Sequence, residues 1–212
     1  DVYKRQAYSC QLAVFYLLAL KFAQIRSAIT PDTFQTLLTA LKQLPDQIEG
    51  LLSQKEKIQF FANHYLATEH IFFMGRGIDY AISMEGSLKL KEISYIHSES
   101  YAAGELKHGT ISLIEDGMPV IAVATQHDLY EKTMSNIKEV KTRGATVVMV
   151  CGEDMKFDGN DVDYPVMLPL ARDLLMPLVA VVPLQLIAYY TAALKNFDVD
   201  HPRNLAKSVT VE

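Results

Sequence analysis

Hydrophobic residues divide this chain into a helical lead-in and a region in which short and long apolar patterns alternate. Up to about residue 66 they recur at helical spacing, with a helix start signal at Thr30 and Pro31. We expect Pro45 to interrupt that helix, because proline has no backbone N–H to donate. No strand is predicted in this stretch, so residues 1–66 are not expected to form a complete α/β domain.

From His70 onward, short apolar runs are separated by longer helical patterns. The predicted strands are 71–74, 119–124, 146–151 and 164–168. Runs such as Val-Ile-Ala-Val-Ala are apolar throughout, which is typical of parallel strands covered on both faces. Connections between such strands are right-handed. The sequence therefore predicts a doubly wound α/β domain, whose first helix extends to about Ile96.

Two apolar stretches are long enough to be weighed as membrane segments. Lys4 and Arg5 followed by the apolar run 12–20 imitate a signal peptide, but the pattern continues without a small-residue cleavage site. The uncharged stretch 174–194 is long enough to span a bilayer, yet it contains two prolines and a glutamine. We interpret the first as an amphipathic helix and the second as a buried core helix, and predict no membrane association.

Composition narrows the classes of function. The chain has 212 residues, half of them hydrophobic, which suits one α/β domain with an appendage. Its net charge of −5 argues against a protein that coats nucleic acid. Cys10 and Cys151 fit neither a disulfide framework nor a metal-ligand spacing. We therefore expect no metal site and a reducing, cytoplasmic location.

The first candidate for chemistry is a set of charges on the predicted first helix of the α/β region. Glu85, Lys89 and Glu92 are spaced i, i+4 and i+7, so they share one helix face. Carboxylates beside an ammonium can move a proton between adjacent carbon atoms. The alternative is a solvated ladder of ion pairs, which the spacing alone favours.

Three further segments are ambiguous from the residues alone. The turn Gly75-Arg76-Gly77 can bind an anion at a helix N-terminus, but it lacks a third glycine and is better interpreted as a connection. His108, in the segment 104–109, is suited to proton transfer near neutral pH, although surface turns also contain such residues. Lys207 is either a solvated amine or a nucleophile folded into a site, and the residues alone favour the solvated amine.

Two long segments resemble one enzyme family. "LKLKEISYIHSESYAAGELKHG" and the ending "HPRNLAKSVTVE" are similar to the isomerase part of the glutamine–fructose-6-phosphate aminotransferases, or glucosamine-6-phosphate synthases. "GRG", "MPVIAV" and "AYSCQL" fit the same alignment, from about residue 7 to the end. Members of this family have a glutaminase domain followed by two sugar isomerase (SIS) domains. The resemblance implies a remnant of the first SIS domain in 1–66, a flavodoxin-like three-layer second SIS domain in 67–197, and an active-site tail in 198–212.

The resemblance also implies a role for individual residues. Glu92 matches the base that moves a proton between C1 and C2 of the sugar, and Lys89 matches the neighbouring lysine that orients the substrate. His108 matches the histidine that opens the sugar ring, supplied across a dimer interface. Lys207 matches the tail lysine that forms an imine with the open-chain ketone, and Ala206 lines the same pocket. The Gly75–Gly77 turn receives a structural role.

The implied partners follow from the family reaction. Fructose 6-phosphate and ammonia released by the glutaminase domain yield glucosamine 6-phosphate, with no cofactor and in a homodimer. The family's phosphate loop precedes the region of similarity, so we expect the chain alone to be inactive. The alternative is an SIS-type module that binds a sugar phosphate without turnover. The joint presence of Glu92, His108 and Lys207 argues against a pure binding module.

Overall fold

Three helices precede the sheet in the computed structural model, which describes residues 2–53, 55–65 and 68–204. They are α1 (Val2–Ile25), α2 (Pro31–Leu52) and α3 (Lys55–His64). Thr30 caps α2, because its side-chain oxygen accepts a hydrogen bond of 3.1 Å from the backbone N–H of Thr33. This is the helical lead-in that the hydrophobic pattern predicts.

Helix α2 continues through Pro45, so the prediction that this proline interrupts the helix is wrong. Leu44 and Leu51, on either side of it, are both buried in the core. Fully burying a leucine contributes about 1.5–3 kcal/mol. Two such residues offset the cost of about 3 kcal/mol for a proline inside a helix.

The sheet has five strands, all parallel, in the order β2-β1-β3-β4-β5. The strands are β1 (His70–Gly75), β2 (His97–Ala102), β3 (Pro119–Ala124), β4 (Thr146–Gly152) and β5 (Tyr164–Leu168). This is the flavodoxin-like strand order, with its topological switch point between β1 and β3. The prediction of a doubly wound α/β fold is confirmed.

Helices cover both faces of the sheet and make three layers. The remaining helices are α4 (Ile78–Ser94), α5 (His127–Lys141) and α6 (Met176–Leu194). On β1, Phe73 packs in a cluster with residues of α3, α4 and α6, whereas the adjacent Met74 packs in a cluster with residues of α5. Helix α6 is mostly buried, as expected for a core helix.

Strand β2 was missed by the sequence pattern, which extends the preceding helix to about Ile96 although α4 ends at Ser94. β2 is an edge strand, paired to β1 alone. Serine pairs join it to α4: Ser87 and Ser98 share a buried hydrogen bond of 3.0 Å between their hydroxyl oxygens. An edge strand held by hydroxyl groups leaves no apolar run in the sequence.

Two described helical segments, Tyr8–Ile25 and Asp173–Leu194, are long and apolar enough to cross a membrane by length and composition. The second is largely buried inside the protein, whereas only 6% of the first segment is buried. The two cysteines differ in the same way: Cys10 on α1 is exposed and Cys151 on β4 is buried. Burial raises the pKa of the Cys151 thiol to about 12.

Candidate functional site

The charged residues predicted to share one face of α4 form a compact, mostly buried cluster. Lys89 Nζ donates a hydrogen bond of 2.8 Å to Glu92 Oε2 and lies 3.4 Å from Glu85 Oε1. The side chains of Lys89, Glu85 and Glu92 are 9%, 12% and 20% exposed. The interpretation as a solvated ladder of ion pairs is therefore wrong.

The two carboxylates of this cluster have different surroundings. Burial raises the pKa of Glu85, and the charge of Glu92 adds to that rise, while Lys89 opposes it. Glu85 Oε1 is buried and receives no hydrogen bond. On α1, burial and then the charge of Glu85 raise the pKa of Tyr8 to about 12. Glu85 thus faces the interior, and Glu92 is the carboxylate that a ligand can reach.

Glu92 opens onto a cleft at the C-terminal end of α4. The cleft has a volume of about 490 Å³, within the usual size range of small-molecule sites. Besides Glu92 its walls include Tyr95, Arg203 and Asn204. A carboxylate held by a buried ammonium at the wall of an open cleft can accept a proton from a bound molecule and return it.

His108 lies away from this cleft within one chain. It is exposed and ends a short 3-10 helix, Leu106–His108, that follows the carboxyl end of β2. Glu92 lies near the end of α4, which leads into the amino end of β2. A strand of this length spans about 20 Å. The structure therefore does not bring His108 and Glu92 together in a single copy.

The turn Gly75-Arg76-Gly77 is held by contacts within the protein. Arg76 Nε and Nη2 donate hydrogen bonds of 3.0 and 2.8 Å to Asn136 Oδ1 on α5. Its guanidinium also packs against Gly104, where an added Cβ would lie 2.9 Å from Nη2. Gly77 has a φ of +56°, a conformation that favours glycine. These contacts agree with the structural role expected for the turn.

The C-terminal tail meets α4 beside Glu92. The backbone N–H of Arg203 donates a hydrogen bond of 2.9 Å to Tyr95 Oη, and the Arg203 guanidinium lies 4.0 Å from the centre of the Tyr95 ring. Ala206 and Lys207 lie outside the described residues. Tyr95 is not predicted from the sequence, because the local pattern around it contains no sign of a contact with a residue 108 positions away.

A second charged cluster, also missed, lies in the connections that follow the carboxyl ends of β3, β4 and β5. His127 Nδ1 is 2.8 Å from Asp173 Oδ1, and its Nε2 is 2.9 Å from Asp154 Oδ2. Hydrogen bonds to Asp154 and then to Asp173 raise the pKa of this half-exposed histidine. Over residues 2–53, 55–65 and 68–204, no cluster of three or more His, Cys, Asp or Glu side chains is arranged to hold a metal ion.

Comparison with known sequences identifies relatives along nearly the whole chain. The chain is 51% identical over 207 residues to glutamine–fructose-6-phosphate aminotransferase (isomerizing) of Clostridium acetobutylicum, covering 98% of this chain and 34% of that relative. It is 52% identical over 208 residues to the protein of the same name from Caldanaerobacter subterraneus, with the same coverage. The chain thus spans about a third of the length of the curated relatives it matches.

A solved structure shares the fold as well. The C-terminal domain of glucosamine-fructose-6-phosphate aminotransferase from Francisella tularensis matches with a TM-score of 0.86 at 35% identity, covering 92% of this chain and 55% of that one. The SIS domain family matches residues 65–195, more than half of the chain. The resemblance predicted from the sequence is confirmed, and the chain belongs to the SIS domain family.

Proposed function

We propose that this chain is the isomerising part of a glutamine–fructose-6-phosphate aminotransferase and that it acts in the cytoplasm. The observation on which the proposal rests is the Glu92 carboxylate, hydrogen-bonded to the buried ammonium of Lys89 at the wall of an open cleft. The names of relatives about half identical to this chain support the substrate class. The proposal includes the division of the chain into a remnant of the first SIS domain (residues 1–66), the second SIS domain (67–197) and an active-site tail (198–212).

The proposed chemistry is a proton transfer between neighbouring carbon atoms. The Lys207 amine first forms an imine with the C2 ketone of open-chain fructose 6-phosphate, with loss of water, and ammonia then displaces the lysine amine to leave an imine on C2. Glu92 takes a proton from C1 while the imine nitrogen takes up a proton from water, which gives a 1,2-enolamine. Glu92 then returns its proton to C2, and the C1 hydroxyl proton passes to water, which leaves the aldehyde of glucosamine 6-phosphate. Lys89 holds the carboxylate in one orientation through its 2.8 Å hydrogen bond.

A homodimer is part of the proposal. His108 and Glu92 lie at opposite ends of β2, about 20 Å apart along the strand. Ring opening by His108 at the Glu92 cleft therefore requires the histidine of a second copy. The chain alone is expected to be inactive, because the substrate phosphate is proposed to bind upstream residues that the longer relatives contain.

The direct test is Glu92→Gln in a protein of the relatives' full length that ends in this chain, below called the full-length protein. Glutamine keeps the size of the side chain and removes the base, so synthesis of glucosamine 6-phosphate should fall about 10²–10⁴-fold. Glutamine hydrolysis should continue. Glu49→Gln, the same change at an exposed position of α2, is the matched control. Near-normal synthesis by Glu92→Gln would remove Glu92 from the role of base.

Mixed dimers test the proposed sharing of the site. Glu92→Gln and His108→Asn should each be inactive as pure full-length dimers. A mixed dimer has one site with an intact Glu92 and an intact His108 from the other copy, so mixing and re-association should restore activity. Failure to restore activity in verified mixed dimers would place both residues in a site within one copy. A full-length wild type that binds fructose 6-phosphate without turnover would favour the alternative of a binding module.

A further inference from the structure

Two histidines at the amino ends of neighbouring strands contact each other through their rings. His70 begins β1 and His97 begins β2, and the parallel register pairs these two residues side by side. Their Nδ1 atoms are 3.2 Å apart. The ring centres are 5.3 Å apart, close to the largest separation that this contact allows, so the two nitrogens point towards each other. The geometry fits one ring whose Nδ1–H donates a hydrogen bond to the Nδ1 of the other ring.

His97 also belongs to the wall of the Glu92 cleft. Of the described residues that line this cleft, it is the only histidine. Its Nε2 lies 3.9 Å from Glu99 Oε1, which is too far for a hydrogen bond. The contact with His70 therefore occupies one ring nitrogen of His97, and Glu99 does not occupy the other. Unlike His108, His97 reaches the cleft from the same copy as Glu92.

A second cavity adjoins the histidine pair. It has a volume of about 570 Å³ and lies at the amino ends of β1, β2 and β3, with both His70 and His97 in its wall. Such a space is large and polar enough to hold water. The charged groups around the pair are Glu69, Glu99, Glu115 and Asp116 in this cavity, and Lys91, Glu92 and Arg203 in the cleft. The pair thus connects the Glu92 cleft with a second, acid-lined space.

The proposed reaction exchanges two protons with water in addition to the proton that Glu92 carries. The imine nitrogen takes up one, and the C1 hydroxyl loses one. A substrate in the cleft displaces water from it, so these protons need a carrier in the cleft wall. An imidazole takes up and releases a proton near neutral pH, and a hydrogen bond at one nitrogen fixes which tautomer the ring adopts.

We propose that His97 is the proton carrier of the Glu92 cleft and that His70 relays protons between His97 and water in the second cavity. The proposal rests on the proposed function, because its protons belong to that reaction. It assigns a task to two histidines for which the resemblance to the family implies no role.

The relay returns to its starting state after two steps. While Glu92 takes the C1 proton, His97 Nε2–H gives its proton to the imine nitrogen, His97 Nδ1 takes the proton of His70 Nδ1–H, and His70 Nε2 takes one from water. While Glu92 returns its proton to C2, the C1 hydroxyl proton passes to His97 Nε2. The His97 Nδ1 proton then passes to His70 Nδ1, and the His70 Nε2 proton passes to water. Water supplies one proton and receives one, and neither ring keeps a charge.

The first measurement reads the pair alone, without substrate. In this chain, ¹⁵N NMR of the imidazole nitrogens at pH 9 should show one ring of the pair as the Nδ1–H tautomer and the other as the Nε2–H tautomer. His70→Asn and His97→Asn assign the signals. Two rings that are both Nε2–H would have no Nδ1 proton to share, and that result would overturn the proposal.

The second measurement reads proton transfer by His97 in the full-length protein. His97→Asn removes Nε2 but keeps a polar atom near the position of Nδ1, so the kcat should fall about 10²-fold with little change in the KM for fructose 6-phosphate. In His97→Ala, added imidazole should recover part of the lost rate, which a purely structural role would not allow. His64→Asn, at an exposed histidine of α3, is the matched control. An unchanged kcat in His97→Asn, or a loss in His97→Ala that imidazole leaves unchanged, would overturn the proposal.

Variants of His70 distinguish a relay from a residue that merely positions His97. His70→Asn can still form a hydrogen bond with His97 Nδ1 but cannot pass a proton on, whereas His70→Ala can do neither. A broken relay should lower the kcat about 10²-fold in both variants. Near-normal activity of His70→Asn together with a loss in His70→Ala would make His70 a positioning residue and would overturn the relay.

Mixed dimers show from which copy His97 acts. Glu92 and His97 line the cleft of one copy, so mixing Glu92→Gln with His97→Asn should give no more activity than His97→Asn alone. This is the opposite of the result expected for Glu92→Gln mixed with His108→Asn. Restored activity would place His97 in the partner's site and overturn the proposal.

The outcomes separate this proposal from the proposed function. Normal activity of His97→Asn together with a loss in Glu92→Gln would overturn the relay and leave the proposed function intact. Near-normal synthesis by Glu92→Gln would overturn the proposed function, and the task of the relay with it.

Discussion

Two clusters in this molecule each place one cation between two carboxylates, yet their surroundings differ. In the α4 cluster, Lys89 lies between Glu85 and Glu92 on a single helix, and its side chain is 9% exposed. In the second cluster, His127 joins Asp154 and Asp173 from separate connections, and its side chain is 51% exposed. The first adjoins the proposed catalytic cleft, and the second joins the connections that follow the carboxyl ends of β3, β4 and β5.

The difference shows that burial, rather than the count of ion pairs, decides how much such a cluster contributes to the stability of the fold. Water can solvate the partners of an exposed cation when that cation is removed, so exposed pairs contribute about 0–1 kcal/mol. Removing one partner of a buried pair leaves an uncompensated charge in a medium that solvates it poorly. The buried cluster also allows a single accessible carboxylate, that of Glu92, to be held in one orientation for chemistry.

The largest predicted effect is that of Lys89→Met. The change keeps most of the apolar side chain but leaves the buried carboxylate of Glu85 and the partly accessible one of Glu92 without their cation. The free energy of unfolding should therefore fall by about 3–5 kcal/mol. Urea unfolding at pH 8 measures it. Lys91→Met, the same change at an exposed position of α4, is the matched control and should cost little.

The pH dependence of that loss sharpens the prediction. Burial already raises the pKa of Glu85, and loss of Lys89 removes the group that opposes the rise. A carboxyl whose pKa is raised on folding binds protons more tightly in the folded state, so stability increases as pH falls through the folded pKa. Part of the Lys89→Met loss should therefore be recovered between pH 8 and pH 5. A loss of equal size at both pH values would contradict the account of a buried, uncompensated charge.

A smaller effect is expected for His127→Gln. Hydrogen bonds to Asp154 and Asp173 raise the pKa of His127 above its ordinary value of about 6.5. A raised pKa means that the stabilisation is complete below about pH 6.5 and is lost as pH rises through the folded value. Because the ring is half exposed, the variant should lose only about 0.5–1 kcal/mol at pH 6 and close to nothing at pH 9. Urea unfolding at both pH values tests this, and a loss independent of pH would refute it.

The smallest effect is that of salt. At 1 M NaCl the screening length is about 3 Å, so exposed charges interact weakly while buried ones are screened much less. The stability difference between wild type and His127→Gln at pH 6 should shrink by a few tenths of a kcal/mol, or about half its size. The stability difference between wild type and Lys89→Met should change little with salt. Equal salt sensitivity of the two variants would show that the α4 cluster is as solvated as the other.

The two clusters also mark what the sequence can predict. Glu85, Lys89 and Glu92 are neighbours on any helix, so their spacing alone brings them to one face. Their burial depends on other parts of the fold, among them Tyr8 on α1, and no local pattern contains that information. The contact between His127, Asp154 and Asp173 can be predicted only once the order of the strands in the sheet is known.

The same reasoning explains the errors in the fold. The apolar runs predicted β3 and β5 with their ends as observed, and β1 and β4 nearly complete, because strands covered on both faces must be apolar. β2 is polar and held by serine hydroxyls, so it has no such run. Pro45 was expected to end a helix on local grounds, but the burial of Leu44 and Leu51 outweighs that preference.

The contrast between the two cysteines has a practical consequence for observing this protein. Cys151 is buried beside Met167, with 3.8 Å between their sulfur atoms, and its high pKa keeps it in the unreactive thiol form at neutral pH. Cys10 is exposed on α1, and the sequence has no third cysteine. A maleimide fluorophore added to the unmodified chain should therefore label α1 alone. Its signal would report directly, without any mutation, on whether α1 stays packed against α2 and α6 or separates from them.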